Sequence, residues 1–209
     1  MRPKKVSVIL STYNRPKALF IVLSCFRLQD DDKFEIIVAD DGSDVQTSEV
    51  IKTIQTSYTN RRIQHVWQEH KEFRLARIRN LAVKKATGDY LVFLDGDRVP
   101  PPAFIKNHRS LAELGWTVYG QRILSTEKYT QALENIPRTF FTSSYWELLT
   151  FFRLSIGRKI NRFLPIIKIN AKLWQQREPE QWQNIRGCNW GMWAKDYYAV
   201  NGSDQTFQG

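Results

Sequence analysis

The sequence predicts an α/β protein built on a mostly parallel sheet with helices on both faces. Three observations carry this expectation. Short apolar runs (Val6 to Leu10, Phe34 to Ala39, Arg62 to Trp67, Tyr90 to Leu94) alternate with segments whose apolar residues recur at helical spacing. Tyr90-Leu91-Val92-Phe93-Leu94 is continuously apolar, as a strand covered on both faces must be. Polar clusters follow the first, second and fourth runs, at the strand ends where such sheets bind ligands.

Each element has a local reason. Val6-Ser7-Val8-Ile9-Leu10 is the first strand and runs into the polar turn Ser11-Thr12-Tyr13-Asn14. Arg15-Pro16 then opens a helix, because proline in the first turn loses no hydrogen bond; Leu19, Val22, Leu23 and Phe26 are its inward face. Phe34 to Ala39 is the second strand and ends at Asp40-Asp41-Gly42-Ser43, followed by a helix with Val50, Ile51 and Ile54 inward. Arg62 to Trp67 is the third strand. Arg74 to Ala86 is a helix with Leu75, Ile78, Leu81 and Ala82 on one face and Gly88 as its stop. After the fourth strand, Pro100-Pro101-Pro102 breaks the chain, Ala103 to Leu114 reads as a helix stopped by Gly115, and Thr117 to Leu124 as a strand. From Ser125 to Arg186 the pattern loosens, with no internal repeat or low-complexity stretch.

The 209 residues, 42% hydrophobic and rich in aromatics, suit one domain with a substantial core. Residues 1–124 are expected to form its binding half, 125–185 a helical, basic insertion, and 186–209 a further segment of the same domain. No run of eighteen apolar residues occurs, so neither a signal peptide nor a spanning helix is expected. Two cysteines, Cys25 and Cys188, are too few for a disulfide framework and suggest a reducing, cytoplasmic setting. The net charge of +10 points to an anionic partner: nucleic acid, a lipid surface or a phosphorylated substrate. Nine Lys/Arg against two Glu fall between Lys128 and Arg177, so the excess sits in the insertion. Its stretch Thr150 to Ile160 is aromatic, basic and roughly amphipathic. That stretch can be a helix packed on the sheet, a flap over the site, or a foot on the inner face of an anionic membrane.

The chemistry is expected around Asp95-Gly96-Asp97. If the strand stays extended, side chains two apart share a direction, so Asp95 and Asp97 can hold one ligand, and Gly96 admits a bulky group. Adjacent carboxylates suit Mg²⁺ or Mn²⁺, which usually travels with a diphosphate. An acidic turn closing a strand is the plain alternative. It does not predict the convergence of Thr12 to Arg15, Asp40-Asp41 and Asp95 to Asp97 at one sheet edge.

Val8 to Arg15, Ile37 to Ser43, Arg79-Asn80-Leu81-Ala82 and Gly88 to Asp97, in this order and spacing over about the first 125 residues, resemble the family 2 glycosyltransferases of the GT-A, Rossmann-like fold. Arg186-Gly187-Cys188-Asn189-Trp190, Ala199 to Gly209 and Phe73-Arg74-Leu75-Ala76 resemble the galactosyltransferase and chondroitin-polymerase-like branch. The resemblance implies a UDP-sugar donor and a glycan or lipid-linked acceptor, in surface polysaccharide or lipopolysaccharide synthesis. Thr12, Tyr13, Asn14 and Arg15 would line the uracil and ribose pocket and Asp40 would accept from the base, while Asp41 holds the loop. Arg79 would lie near the diphosphate, Asp95 and Asp97 flanking Gly96 would form the Mn²⁺ or Mg²⁺ site, Asp97 as the direct ligand and Asp95 through a metal-bound water or on the ribose, and Asn189 and Trp190 would face the acceptor. For Trp190, stacking on a sugar and packing in the core are both open. Family 2 enzymes invert the anomeric centre with a carboxylate base. In the resembling branch that base sits in a Trp-Gly-x-Glu-Asp run directly after the motif at Phe207-Gln208-Gly209, so it is expected beyond residue 209 of a truncated chain. Asp204 is the nearest substitute, though it reads as a turn acid.

The competing functions are nucleotidyl transfer, a basic nucleic-acid binder, and a catalytically incomplete module that binds nucleotide-sugar or anionic lipid. The first lacks a glycine-rich loop after the first strand and the second any nucleic-acid motif, so no nucleic-acid partner is expected. His65 and His108 are expected to be structural, and His70 stands where the resembling branch leads one to expect an acid. If the basic stretch is a lipid foot, the protein will co-sediment with anionic vesicles and be released as salt rises; binding indifferent to salt contradicts an electrostatic contact.

Overall fold

The computed structural model describes residues 1–58, 61–120 and 187–206. Four parallel strands form the centre: β1 (Val6–Thr12), β2 (Phe34–Asp40), β3 (Ile63–Trp67) and β4 (Tyr90–Asp95), adjacent in the order β3-β2-β1-β4. The chain steps outward from β1 to β3 and then returns to the other side of β1. The reversal of strand order therefore falls between β1 and β4, and parallel sheets of this kind bind ligands beyond their carboxyl edge at such a point.

Two antiparallel strands complete the six-stranded sheet: β5 (Val118–Tyr119) at the edge and β6 (Asn189–Trp193) between it and β4. β6 is a strand that the periodicity did not disclose. Asn189-Trp190-Gly191-Met192-Trp193 lies against an already formed β4, and only that neighbour makes the short segment extended. Gly191 meets the need for close approach, since a Cβ there would stand 2.8 Å from the Leu91 carbonyl.

The helices are α1 (Pro16–Cys25), α2 (Val45–Ser57), α3 (Leu75–Val83), α4 (Phe104–Leu111) and α5 (Ala194–Ala199). Pro16 starts α1, and the Asp44 side chain caps α2 by accepting from the Thr47 N–H. α3 and α4 are shorter than their apolar periodicity suggests, because the ends of those patterns wind into turns. The expected strand from Thr117 is described only as far as Gly120. The insertion at 125–185, with its basic and aromatic stretches, lies outside the described residues. Among those described, no helix is long and apolar enough to cross a membrane.

Side chains that alternate along the strands feed two cores. Val8, Leu10, Ile36, Val38 and Val92 pack with Leu19, Leu23, Ile51, Ile54 and Ile105 on the face of α1, α2 and α4. Ile9, Ile37, Leu91 and Phe93 pack with Ile78, Ala82 and Tyr197 on the face of α3 and α5. Each such side chain taken from water contributes about 1.5–3 kcal/mol, so the sheet is a rigid base for its loops. Cys25 belongs to the first face, and burial pushes its thiol up to about 11, leaving it unreactive.

The amino end of the sheet holds a buried carboxylate. Glu35 on β2 accepts from Ser7 Oγ (2.7 Å), the Thr87 backbone N–H (2.6 Å), Thr87 Oγ1 and Lys5 Nζ (2.9 Å). Burial by itself would raise its pKa; these donors outweigh burial and hold it below the ordinary 4.5. A depressed folded-state pKa adds stability that is in place above about pH 4.5 and fades as the pH falls through the lower, folded value. Glu35→Gln is expected to lower unfolding stability at pH 7 by about 1.5–3 kcal/mol in urea titrations. The difference from wild type should shrink in acid.

Candidate functional site

The carboxyl edge of β2-β1-β4 is tied together through backbone groups. The Gly96 N–H donates to the Ser11 carbonyl at 2.6 Å, and the Asp41 N–H to the Thr12 carbonyl at 3.0 Å. The Asn14 N–H donates to Ser43 Oγ and the Asp44 N–H to Asn14 Oδ1, both at 2.9 Å. Asn14 adopts φ 47°, a left-handed conformation that asparagine tolerates, and this lets the first loop turn back onto the second. The loops after β1, β2 and β4 therefore meet, as their sequence clusters led one to expect.

Register then divides the site between the sheet's faces. Thr12 stands opposite Asp40, and Ser11 opposite Asp95. Neighbouring residues on β1 point to opposite faces, so Thr12 and Asp40 belong to the α1/α2 side while Ser11 and Asp95 belong to the α3 side.

Asp40 is fully buried. Its Oδ1 accepts from the Ser43 N–H at 2.8 Å, and its Oδ2 lies 2.9 Å from His65 Nε2. Asp41 instead holds the loop: Gln68 Nε2 donates to Oδ1 at 2.5 Å and the Arg74 N–H to Oδ2 at 3.2 Å. Gly42 has φ +92°, and a Cβ there would run into the His70 backbone, so only glycine fits this turn. His70 stacks on Tyr13 with ring centroids 4.4 Å apart, and Arg15 is exposed at the start of α1.

On the α3 face, Arg79 is buried and shared among three acceptors. Nε donates to Ser11 Oγ (3.1 Å), and Nη2 to Asp95 Oδ1 (3.1 Å) and the Gly187 carbonyl (2.7 Å). Burial lowers its pKa and the Asp95 carboxylate opposes that shift; guanidinium stays charged throughout. Its neighbour Asn80 donates from Nδ2 to the Ser203 carbonyl at 2.8 Å, so α3 fastens the C-terminal segment beside the site.

The Asp-Gly-Asp geometry departs from the extended run expected of it. β4 ends at Asp95, and the Arg98 N–H donates to the Asp95 carbonyl at 3.0 Å, so Gly96 and Asp97 form a turn. The turn follows from Gly96 packing on β1: a Cβ would meet the Ser11 carbonyl at 2.8 Å. Asp95 is thus held by Arg79, and Asp97 stands on the exposed turn with its Oδ1 3.3 Å from Arg98 Nε.

The Asp95 and Asp97 carboxylates are donors of the kind a hard divalent cation takes. The donors are oxygens and both acids remain partly exposed. Among the described residues, no group of three or more His, Cys, Asp and Glu side chains is gathered for a metal. Any such ion would complete its shell from a substrate and water.

Asn189 and Trp190 begin β6. Asn189 Oδ1 lies 3.1 Å from His108 Nε2, and burial drives the pKa of that histidine down to about 4. Trp190 stacks on Phe93 with centroids 4.0 Å apart, so one face of its indole is used in packing. Asp204 is exposed and accepts at Oδ1 from Thr206 Oγ1 (2.7 Å) and the Thr206 N–H (2.9 Å); these bonds depress its pKa. It is a turn acid in this arrangement. Sequence reasoning missed Ser11, Ser43, His65 and Gln68 as supports of the site, although Ser43 and Gln68 stand directly at strand or turn ends.

A family model described as glycosyl transferase family 2 matches residues 7–168. The chain belongs to this family. Over 129 residues it is 30% identical to a chondroitin synthase of Escherichia coli, covering 60% of this chain and 18% of that protein. Over 144 residues it is 32% identical to a hyaluronan synthase of Pasteurella multocida, covering 66% of this chain and 14% of that one. The chain therefore spans less than a fifth of either relative. A mannosyltransferase from Pyrobaculum calidifontis, solved with GDP-Man and Mn²⁺, superposes with a TM-score of 0.52 at 23% identity, over 64% of this chain and 39% of that one. The shared architecture is the GT-A, Rossmann-like α/β fold.

In this family 2 chain the packing of Gly96 on Ser11 is a testable constraint. Gly96→Ala should cost about 1–3 kcal/mol in thermal or urea unfolding, because backbone rather than a flexible side chain must move.

Proposed function

We propose that the chain is the sugar-transfer domain of an inverting, metal-dependent glycosyltransferase that moves a hexose from a UDP-sugar to a glycan or lipid-linked acceptor in surface polysaccharide synthesis. The observation that carries this reading is the hydrogen-bonded convergence of the loops after β1, β2 and β4 at the point where strand order reverses. The names of the chondroitin and hyaluronan synthases favour a polysaccharide product.

In this reading the base and ribose lie against Thr12 to Arg15, while Asp40, expected from the resemblance to accept from the base, is buried and instead holds the loop through the Ser43 N–H. Asp95 and Asp97 would hold Mn²⁺ or Mg²⁺, which would supply positive charge to the donor diphosphate. Arg79 keeps Asp95 oriented and adds a fixed positive charge beside the leaving diphosphate, where negative charge grows as the bond from the anomeric carbon to the phosphate oxygen breaks and the acceptor oxygen takes its place. Asn189 is the acceptor-side residue, with Trp190 beside it and partly committed to Phe93. The acceptor hydroxyl must lose its proton to a carboxylate. Asp204, with two donors from Thr206 on one oxygen, is placed as a turn support more than as that base. A peripheral contact of the basic insertion with the inner membrane face would bring a lipid-linked acceptor to the site.

Calorimetry with UDP, with and without Mn²⁺, tests the assignment; absence of binding in both conditions removes it. Asp97→Asn should abolish the Mn²⁺-dependent part of UDP affinity with an unchanged melting temperature, since it takes a charge from an exposed turn without opening a cavity. A large loss of stability would instead mark Asp97 as structural. Asp40→Ala should weaken UDP binding about tenfold or more even without metal.

A further inference from the structure

We infer that His70 is a positioning residue for the donor site: it holds the Tyr13 ring as a one-sided platform for the flat base of the nucleotide. This rests on the reading of Thr12 to Arg15 as the base and ribose pocket. Tyr13 is 44% exposed, so a ligand can reach it. The His70 imidazole lies almost parallel to the phenol, with centroids 4.4 Å apart and planes 15° apart. It covers one face of that ring, and the exposure belongs to the opposite face and the edge.

Both rings stand on fixed backbone. Tyr13 follows Thr12, which pairs with Asp40 across β1 and β2, and precedes Asn14, whose N–H donates to Ser43 Oγ at 2.9 Å. His70 lies between two anchors on the Asp41 carboxylate, Gln68 Nε2 on Oδ1 and the Arg74 N–H on Oδ2. Its backbone rests directly on Gly42, where a Cβ would stand 2.4 Å from the His70 nitrogen. His70 Nδ1 is 3.2 Å from the Asp41 carbonyl, which only accepts, so Nδ1 carries the proton of this bond and the bond sets the ring. A tyrosine side chain free to rotate would lose that freedom when a base settled on it. A parallel partner already in place removes much of this cost before any ligand arrives. An acid, which the resemblance leads one to expect at position 70, has no ring face to offer. Neither Tyr13 nor His70 belongs to an apolar core, which sets the pair apart from a packing contact such as that of His108 with Phe104.

The test is UDP titration by calorimetry on the whole chain, with thermal unfolding measured alongside. His70→Ala should weaken UDP binding about fivefold, the loss of one stacked contact. His70→Phe keeps a flat ring against Tyr13 and should bind UDP within about twofold of wild type, although it lacks the Nδ1 bond. In a Tyr13→Ala background, His70→Ala should change affinity by less than about twofold, because the ring it acts through is gone. The inference is overturned if His70→Ala binds UDP like wild type, if its loss is undiminished in the Tyr13→Ala background, or if His70→Phe binds as weakly as His70→Ala. Failure of wild type to bind UDP overturns the donor-site reading and this inference with it. Should a variant not fold, the wild-type imidazole C–H signals decide, and with three histidines in the chain they are few enough to assign. Those of His70 should stand upfield under the Tyr13 ring and stay there when UDP saturates the protein. A downfield return on adding UDP would mean that the nucleotide displaces the imidazole, and overturns the platform.

Discussion

The in-register parallel pairing of β1 with β2 and β4 is the constraint on which the site depends. It sets Thr12 opposite Asp40 and Ser11 opposite Asp95, so one strand end brings two loops together. A slip of one residue would send each carboxylate to the other face of the sheet, away from its partners. Apolar residues on both faces of β1, β2 and β4 resist such a slip, because it would exchange the side chains of two well-filled cores. The precision of the site thus comes from burial several residues away from it.

Charge is handled differently at the two ends of this sheet. At the amino end, Glu35 is enclosed by donors from Lys5, Ser7 and Thr87, and its role is to hold three segments together. At the carboxyl end, Arg79 holds the partly exposed Asp95, while the buried Asp40 has one partner on each oxygen. The same physical rule, that a buried carboxylate requires donors, yields a staple of strands at one end and a brace for the loops at the other. This division agrees with the general placement of ligands beyond the carboxyl ends of parallel strands.

Much of this was legible in the chain itself. The four parallel strands and the helices between them followed from alternating apolar runs and helical spacing, and the first three polar clusters fell where that alternation required. Gly42 stood in the turn that now requires it, whereas Gly96, expected to admit a bulky group, packs on Ser11 instead. Less legible were contacts that depend on which strands become neighbours. His65 read as an ordinary strand histidine until β3 was placed beside β2, and Trp190 was undecided until β6 was laid against β4 and Phe93. Asp97 was expected to continue an extended run, yet the close packing of Gly96 on Ser11 turns the chain there.

By itself the sequence determined the α/β order, the facing of the apolar residues and the identity of the loops that carry acids and Arg79, because periodicity and turn chemistry are local properties. Only the tertiary structure decided which of those acids are held, by whom, and on which face. Register and strand adjacency join residues as far apart as Arg79 and Gly187, and no local pattern encodes that meeting.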